Sequence, residues 1–311
     1  MGPLLVLLSA TCFGAMAVFG KLAYDAGVSA PALVLLRFLI AAALLLALTV
    51  ALASRSGRPL LPAVTAGRRT RVVVTALALG GLGYATQATL YFSAIERIDA
   101  ALVALVLYTY PVLVTLAAVL LGRDRLTPAR VAALLVATGG TVLVLVGTGP
   151  LGFDAVGVTL ALGAALTYTV YILVADTTVR QVPPLTLTAL VMTGAAVTLS
   201  ARAVLTGGTD LAVSAAGWFW VACIAVVSTV VASTAFFAGL HRTGPSTASI
   251  LSTFEPVATV VLAAVVLGEF LTPLQVAGGV LVLTSVVLVQ VRRRAPLAAG
   301  PVPQGAPVSG Q

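Results

Sequence analysis

Apolar segments, each about as long as a membrane-spanning helix, follow one another along almost the whole chain. A helix needs about 20 consecutive apolar residues to cross the hydrocarbon of a bilayer. Ten such segments fit into the sequence, which predicts a polytopic, all-α membrane protein. The predicted spans are residues 3–23, 31–53, 72–94, 100–121, 128–147, 155–175, 184–206, 215–240, 246–267 and 273–291.

Composition supports this class of protein and excludes others. Of the 311 residues, 60% are hydrophobic and 8% are charged, whereas a typical soluble domain has about 25% charged residues. The net charge of +8 does not indicate nucleic-acid binding, because the basic residues stand at the ends of apolar segments and not along one polar face. The sequence has no GxxxxGK[ST] phosphate loop. Its single histidine and two cysteines form no metal-ligand set, so we predict no cofactor.

Arginine and lysine residues predict the orientation in the membrane. The connections of one side hold far more of them than the opposite side, where only Lys21, Arg97 and Arg202 occur. The positive-inside rule then places both termini in the cytoplasm of a multi-pass cell-membrane protein. The basic residues of the predicted cytoplasmic side are Arg55, Arg58, Arg68, Arg69, Arg71, Arg123, Arg125, Arg130, Arg180, Arg242, Arg292, Arg293 and Arg294.

Two stretches of the chain repeat each other. The first, at 95–136, reads "IERIDAALVALVLYTYPVLVTLAAVLLGRDRLTPARVAALLV"; the second, at 240–281, reads "LHRTGPSTASILSTFEPVATVVLAAVVLGEFLTPLQVAGGVL". Pro111 aligns with Pro256, and both copies continue to Leu-Thr-Pro, at a common offset of 145 residues (111 to 256). The chain therefore divides into two five-helix units, 1–147 and 148–291, followed by a Pro/Gly-rich tail at 292–311 that is predicted to be disordered.

An odd number of helices per unit has a topological consequence. The second unit must enter the membrane from the opposite side, so the two units form an inverted-topology repeat. This architecture is common in secondary transporters, whose substrate sites lie near the bilayer midplane between the repeats.

The same segments resemble a known family. The opening "FGAMAVFGKLAYDAGVSAPALVLLRF" and the two proline-centred helices, each followed by a glycine and Leu-Thr-Pro, are similar to EamA-type transporters of the drug/metabolite transporter superfamily over roughly residues 1–291. The resemblance implies ten helices, alternating access and export of small metabolites. The first copy departs from the family pattern, because Arg123 in "LLGRDRLTP" stands where a glutamate is usual. In the second copy Glu269 occupies that place, and we interpret it as a turn or helix-cap residue.

Glu255 is the one acidic residue predicted to lie deep in the membrane, since the others fall in loops or at helix ends. A carboxylate near the bilayer centre costs about 2.5 kcal/mol or more, so it should contact a cavity or a partner. Desolvation disfavours the charged form of a carboxyl, which makes Glu255 a candidate proton carrier as well as a substrate ligand. Helical spacing places Ser252 and Thr259 on the same side of the helix.

Two further features of this helix are predicted. Ile250, Phe254, Val257 and Val261 form the opposite side, which is expected to meet lipid or packed helices. Pro256 follows Glu255 and removes a backbone donor, which frees a carbonyl in the preceding turn. Water or a ligand in a cavity could supply a partner for that carbonyl. We therefore predict helix breaks at Pro256 and at its repeat counterpart, Pro111.

Arg37 is the corresponding deep cation, in the second predicted helix. Three roles stay open for it: extending towards the membrane surface, pairing with Glu255, or binding an anionic group of the substrate. Other candidates are polar or aromatic residues on predicted inner sides of helices. With Glu255, Arg37 and Ser252, they complete the predicted substrate- and proton-binding set: Tyr84, Gln87, Tyr91, Tyr108, Tyr168, Ser233 and Phe236.

These features favour one function and leave an alternative. A secondary transporter fits best, exporting a small amphipathic metabolite such as an amino acid by alternating access, with proton coupling through Glu255 as a hypothesis. An oligomeric channel or a permease without ion coupling is the alternative. An enzyme is not predicted, because no deep nucleophile–base pair or metal set is present in the sequence. The predicted partners are a small-molecule substrate, protons and the lipid bilayer.

Overall fold

The computed structural model describes residues 1–56, 66–122, 127–147, 154–179, 183–243 and 251–292, and these residues contain helices and no β-strand. We number ten helical segments in chain order: α1 (Gly2–Asp25), α2 (Ala30–Ser56), α3 (Ala66–Ala78 and Ala85–Ile95, joined by a π-helical turn at Leu79–Tyr84), α4 (Ala100–Leu107 and Tyr110–Leu120), α5 (Pro128–Val146), α6 (Ala155–Val179), α7 (Pro184–Leu205), α8 (Ala215–Ala225 and Ala232–Thr243, joined by a π-helical turn at Val226–Val231), α9 (Phe254–Leu262, continued by a π-helical turn at Ala263–Leu267) and α10 (Pro273–Arg292).

The predicted all-α class is confirmed for the described residues. Seven of the helices are long and apolar enough to cross a membrane, by length and composition, and three further apolar helices are shorter. Ten crossings therefore stay a prediction. The predicted loop at 54–71 is shorter in the structure, because α2 continues to Ser56 and α3 begins at Ala66. The predicted start of the ninth span, Arg123 and the tail at 293–311 lie outside the described residues.

The connections that follow α1, α3, α5, α7 and α9 meet at one end of the bundle, which we call the loop end. Hydrogen bonds and ion pairs join these connections to each other, so successive helices run in opposite directions between the loop end and the end that holds the N-terminus. The contacts are Ser214 Oγ donating to the Ala26 carbonyl, Thr272 Oγ1 donating to the Gly147 carbonyl, and the ion pairs Arg97–Asp154 and Lys21–Glu269.

Two helices are interrupted at matching positions. The chain turns at Tyr108 and Thr109 within α4 and at Thr253, between the helical residues 251–252 and the first residue of α9. Tyr108 and Thr253 are 145 residues apart (108 to 253), which is the offset of the sequence repeat. The predicted breaks thus occur just before Pro111 and Pro256 rather than at them, because a proline disturbs the turn that precedes it.

Helix packing has the same pairwise pattern in both halves. The first helix of each half packs against the third and fourth helices of the other half: α1 contacts α8 and α9, and α6 contacts α3 and α4. The remaining large contacts join α7 to α2 and to α3, and α5 to α10. Gly140 and Gly278 permit the last of these: a Cβ on Gly140 would lie 2.7 Å from the Gly278 carbonyl oxygen, and one on Gly278 2.5 Å from that of Gly140. Small residues are the usual means by which membrane helices approach closely.

The loop end of α4 is densely packed. Every residue from Ala100 to Val106 is buried, whereas in the segment beyond the break only Val112, Thr115 and Ala118 are. The first segment is wedged among α1, α6 and α9. The bundle is therefore closed above the break in α4, on the side of the loop end.

Candidate functional site

A cavity of about 130 Å³ lies where the interrupted parts of α4 and α9 approach each other. Its wall combines one carboxylate, one guanidinium, one amide and five tyrosines, on a background of apolar side chains. The lining residues are Phe13, Met16, Arg37, Tyr84, Gln87, Ala88, Tyr91, Leu107, Tyr108, Tyr110, Tyr168 and Glu255. A few polar groups in a mostly apolar concave wall are typical of small-molecule sites.

The break in α9 is closed by a side chain from α4. In a regular helix the N–H of residue 256 would donate to the carbonyl of Ser252, but Pro256 has no N–H. The Tyr108 hydroxyl takes its place and donates to the Ser252 carbonyl oxygen over 2.7 Å. A hydroxyl from the other half of the chain thus supplies a partner for this carbonyl, where the sequence suggested water or a ligand.

Glu255 stands beside this contact, in the first turn of the α9 segment that starts at Phe254. Its Oε2 lies 3.2 Å from the Tyr108 hydroxyl. The helix dipole favours a negative group at a helix N-terminus. The new N-terminus that the break creates therefore stabilises the charged form of Glu255, and the break also exposes this side chain to the cavity. Thr259, one turn further along, donates to the Gly14 carbonyl of α1 over 3.0 Å and is structural.

The opposite side of α9 agrees with its prediction. Phe254, Val257 and Val261 are exposed on the outside of the bundle, as expected of side chains that meet lipid. Ile250 lies outside the described residues. Helical spacing therefore orients this helix correctly from Phe254 to Val261.

Arg37 is buried to 1% exposure and connects the π-helical turns of α3 and α8. Its Nε donates to Thr229 Oγ1 over 3.2 Å, within the π-helical turn of α8. Its Nη2 donates to the Tyr84 hydroxyl over 3.3 Å, at the end of the π-helical turn of α3. The guanidinium carbon also lies 5.0 Å from the centre of the Phe38 ring and 5.5 Å from that of Phe92, distances at which cation–π attraction acts.

Arg37 and Glu255 line the same cavity, yet they do not touch. Within the described part of the chain, ion pairs shorter than 4.0 Å join Lys21 to Glu269 and Arg97 to Asp154, and none joins Arg37 to Glu255. Of the three roles open for Arg37, direct pairing with Glu255 is therefore not seen. Two opposite charges therefore face one cavity, and the side chains that hydrogen-bond to them contribute neutral hydroxyl groups.

A chain of tyrosine rings connects the surroundings of the two charges. Centroid distances along it are 5.6 Å from Tyr108 to Tyr110, 4.7 Å from Tyr110 to Tyr168, 5.8 Å from Tyr168 to Tyr171 and 5.6 Å from Tyr171 to Tyr84. These are ordinary distances for attractive aromatic pairs. The chain starts at the hydroxyl beside Glu255 and ends at the hydroxyl beside Arg37, so it forms one wall between them.

Comparison with known proteins decides the family. The sequence model of the EamA-like transporter family matches residues 1–146 and 155–291. The chain belongs to the EamA-like transporter family. As an EamA-like protein it is a multi-pass membrane transporter, as the sequence resemblance predicted.

Comparison with solved structures shows a shared fold and nothing further. A crystal structure described simply as that of a protein aligns with a TM-score of 0.63 and 20% identity, over 94% of this chain and 99% of the other. At this identity the likeness shows a shared fold and nothing about function. No curated protein matches the chain.

Most of the site residues predicted for this EamA-like chain lie at the cavity. Three do not: Ser252 contributes its carbonyl to the α9 break, Ser233 is buried in α8, and Phe236 packs against Phe237. The predicted residues that line the cavity are Glu255, Arg37, Gln87, Tyr84, Tyr91, Tyr108 and Tyr168. The lining residues that were not predicted are Phe13, Met16, Ala88, Leu107 and Tyr110.

The Tyr108 hydroxyl leads to a test of this geometry. Tyr108→Phe removes the hydrogen bond that the hydroxyl donates to the Ser252 carbonyl, and the loss of one such bond costs about 0.5–1.5 kcal/mol. We expect a lower unfolding temperature of the purified protein. Tyr110→Phe is the matched control, because it removes a hydroxyl from the same cavity that none of the described hydrogen bonds uses. Equal unfolding temperatures for the two variants would contradict the assigned role of Tyr108.

Proposed function

We propose that this EamA-like protein is a secondary active transporter that exports a small zwitterionic metabolite, an amino acid or an analogue, by alternating access. The observation that carries this proposal is the cavity itself, which Glu255 and Arg37 both line without an ion pair to any of the residues that the structure describes. A buried charge normally has a partner of opposite sign. A zwitterion supplies both partners at once.

The chemistry of the wall suggests how such a substrate binds. An ammonium group would lie against Glu255 and a carboxylate against Arg37, while the tyrosine chain would contact the carbon skeleton. The cavity of about 130 Å³ is smaller than the roughly 300–1,000 Å³ of pockets that hold drug-sized ligands. That size favours a small metabolite over a drug-sized ligand.

The two helix breaks support alternating access. Unwound points in membrane helices are found where they line a cavity, and repeat-related breaks are a recurrent feature of transporter binding sites. The loop end of α4 is packed, so we infer that this conformation presents the cavity towards the end that holds the N-terminus. The opposite state would open at the loop end as α4 and α9 separate.

The inverted repeat gives this motion its symmetry. We propose units of 1–147 and 148–291 in opposite orientations, in support of which the α4 and α9 breaks share one offset and the helix contacts recur in both halves. The charge pattern then puts both termini in the cytoplasm of the cell membrane and the loop end outside. The conformation would thus be open to the cytoplasm, ready to load a substrate for export.

Proton coupling is proposed through Glu255. The Tyr108 hydroxyl has one proton, which it can donate to the Ser252 carbonyl or to the Glu255 carboxylate. Protonated Glu255 can instead donate to the hydroxyl oxygen while that hydroxyl donates to Ser252. Each protonation state therefore has a hydrogen-bond arrangement with Tyr108, and the hydroxyl proton changes partner between the two. Proton entry on one side and substrate exit on the other would compete for this single acid.

Counterflow in proteoliposomes tests the transporter proposal. Vesicles loaded with an unlabelled amino acid are diluted into a trace of the labelled one, and a panel of small amino acids and amines is screened. A carrier gives transient, saturable uptake of label, because each reorientation moves bound substrate. Uptake that does not saturate, together with an ionic current, would instead establish a channel.

A further inference from the structure

Glu269 lies in the α9–α10 connection, immediately after a glycine that reverses the chain. Gly268 has φ +70°, a left-handed conformation that glycine adopts without strain. The Glu269 N–H then donates to the Ala263 carbonyl over 3.2 Å, which closes the end of α9. This turn fixes the backbone from which the Glu269 side chain extends across the loop end.

The Glu269 side chain joins the two halves of the chain. Its Oε2 accepts a hydrogen bond from the Ala101 N–H over 3.4 Å, in the first turn of α4. Its Oε1 lies 3.8 Å from Lys21 Nζ of α1. The residue that precedes α4, Asp99, makes no side-chain capping bond. Glu269 is therefore a helix cap, as the sequence suggested, but it caps α4 of the first half.

This contact lies where the cavity has to open. The segment Ala100–Leu107 closes the loop end of the cavity and contacts α9. Substrate can leave at the loop end only if this segment moves away from α9 and from the connection that follows it. We propose that Glu269 is the gate residue of the loop end, whose contact with α4 must break before the cavity opens there. The proposal rests on the alternating access proposed above.

The contact of Glu269 with the first half has two parts, a long hydrogen bond to α4 and an ion pair to α1. The Lys21 and Glu269 side chains are 23% and 13% exposed and 3.8 Å apart, and partly exposed ion pairs contribute little. Burial, and then the nearby Asp99, raise the pKa of Glu269 above its ordinary value of 4.5, against the opposing effect of Lys21. A pKa raised in the closed state means that protonation favours closure, so the gate should loosen as the pH rises through that pKa.

A distance measurement tests the gate without any substrate. Spin labels at Glu96→Cys and Leu274→Cys, both exposed at the loop end, report the separation of the α3–α4 connection from α10 by pulsed electron resonance. The background carries Cys12→Ala and Cys223→Ala, which remove the native cysteines. We expect one dominant short distance and a minor long one in this parent protein.

Variants at Glu269 should change the two populations unequally. Glu269→Ala loses the hydrogen bond, and the ratio of long to short distances should rise about fivefold, the change that corresponds to one hydrogen bond of average net strength. Glu269→Gln keeps an acceptor for the Ala101 N–H and should stay within about twofold of the parent. Asp154→Asn, which removes the exposed ion pair of the same end, is the control and should change nothing.

An unchanged distribution in a folded Glu269→Ala protein would overturn the gate. If that variant does not fold, the pH dependence of the parent protein tests the proposal instead. The long-distance population of the parent should rise between pH 4.5 and pH 8, while that of Glu269→Gln should not. A flat response in both proteins overturns the proposal equally. Because no substrate is added, failure here is distinguishable from failure of counterflow.

Discussion

Glu255→Gln is expected to abolish uphill transport while exchange of substrate at equal concentrations continues. Glutamine matches the size of glutamate and keeps an oxygen near the Tyr108 hydroxyl, but it cannot take up a proton. With one proton moved per substrate, a difference of one pH unit sustains about a tenfold substrate gradient. In the variant that gradient should disappear, whereas exchange continues at a raised half-saturating concentration, because an amide oxygen replaces the carboxylate as the acceptor for the ammonium group.

The measurement uses proteoliposomes with an imposed pH gradient and, separately, with none. Glu96→Gln is the matched control, since Glu96 is an exposed glutamate at the loop end, and it should behave as the wild type. If Glu255→Gln still accumulates substrate against a gradient, Glu255 is not the proton carrier. If it unfolds and Arg37→Met restores the fold, Glu255 and Arg37 stabilise each other and their role is structural.

The sequence predicts the deep charges because they stand out from their surroundings. A glutamate or an arginine in a membrane helix is costly, so Glu255 and Arg37 were identified from position alone. The aromatic and apolar lining residues Phe13, Leu107 and Tyr110 were missed for the converse reason. Such side chains are equally suited to lipid, to a packed core and to a cavity wall, so the residue type alone does not distinguish these environments.

The two misplaced side chains have a geometric explanation. Ser233 and Phe236 follow the π-helical turn at Val226–Val231, which accommodates an extra residue and rotates everything after it. A spacing rule of 3.6 residues per turn then assigns the wrong side of the helix. On α3 the rule succeeds for Tyr84, Gln87 and Tyr91, because these residues run from the end of the π-helical turn into regular α-helix.

The partner of the broken backbone also lay beyond sequence reasoning. Pro256 predicts that the Ser252 carbonyl loses its donor, but Tyr108 is 144 residues away. The contact depends on how α4 packs against α9. A local pattern indicates that a hydrogen bond is missing, whereas the replacement is a property of the tertiary fold.

The second large effect concerns the access of water-soluble reagents to the cavity. It tests the central claim, that this cavity is the substrate-binding site. Met16→Cys and Leu107→Cys place thiols in the cavity wall, on α1 and α4. Phe254→Cys and Val261→Cys place them on the exposed outer side of α9. All four are made with Cys12→Ala and Cys223→Ala, so that only the introduced thiol reacts. A small, water-soluble thiol reagent should modify the cavity pair and leave the lipid-facing pair unmodified.

Protection of those thiols by substrate is the most direct test of the site. At a substrate concentration of ten times its Kd, modification of Met16→Cys and Leu107→Cys should slow about tenfold, because the occupied site excludes the reagent. The substrate is the compound that gives counterflow. If the cavity pair reacts no faster than the lipid-facing pair, or if saturating substrate leaves its rate unchanged, the cavity between the two helix breaks is not the binding site.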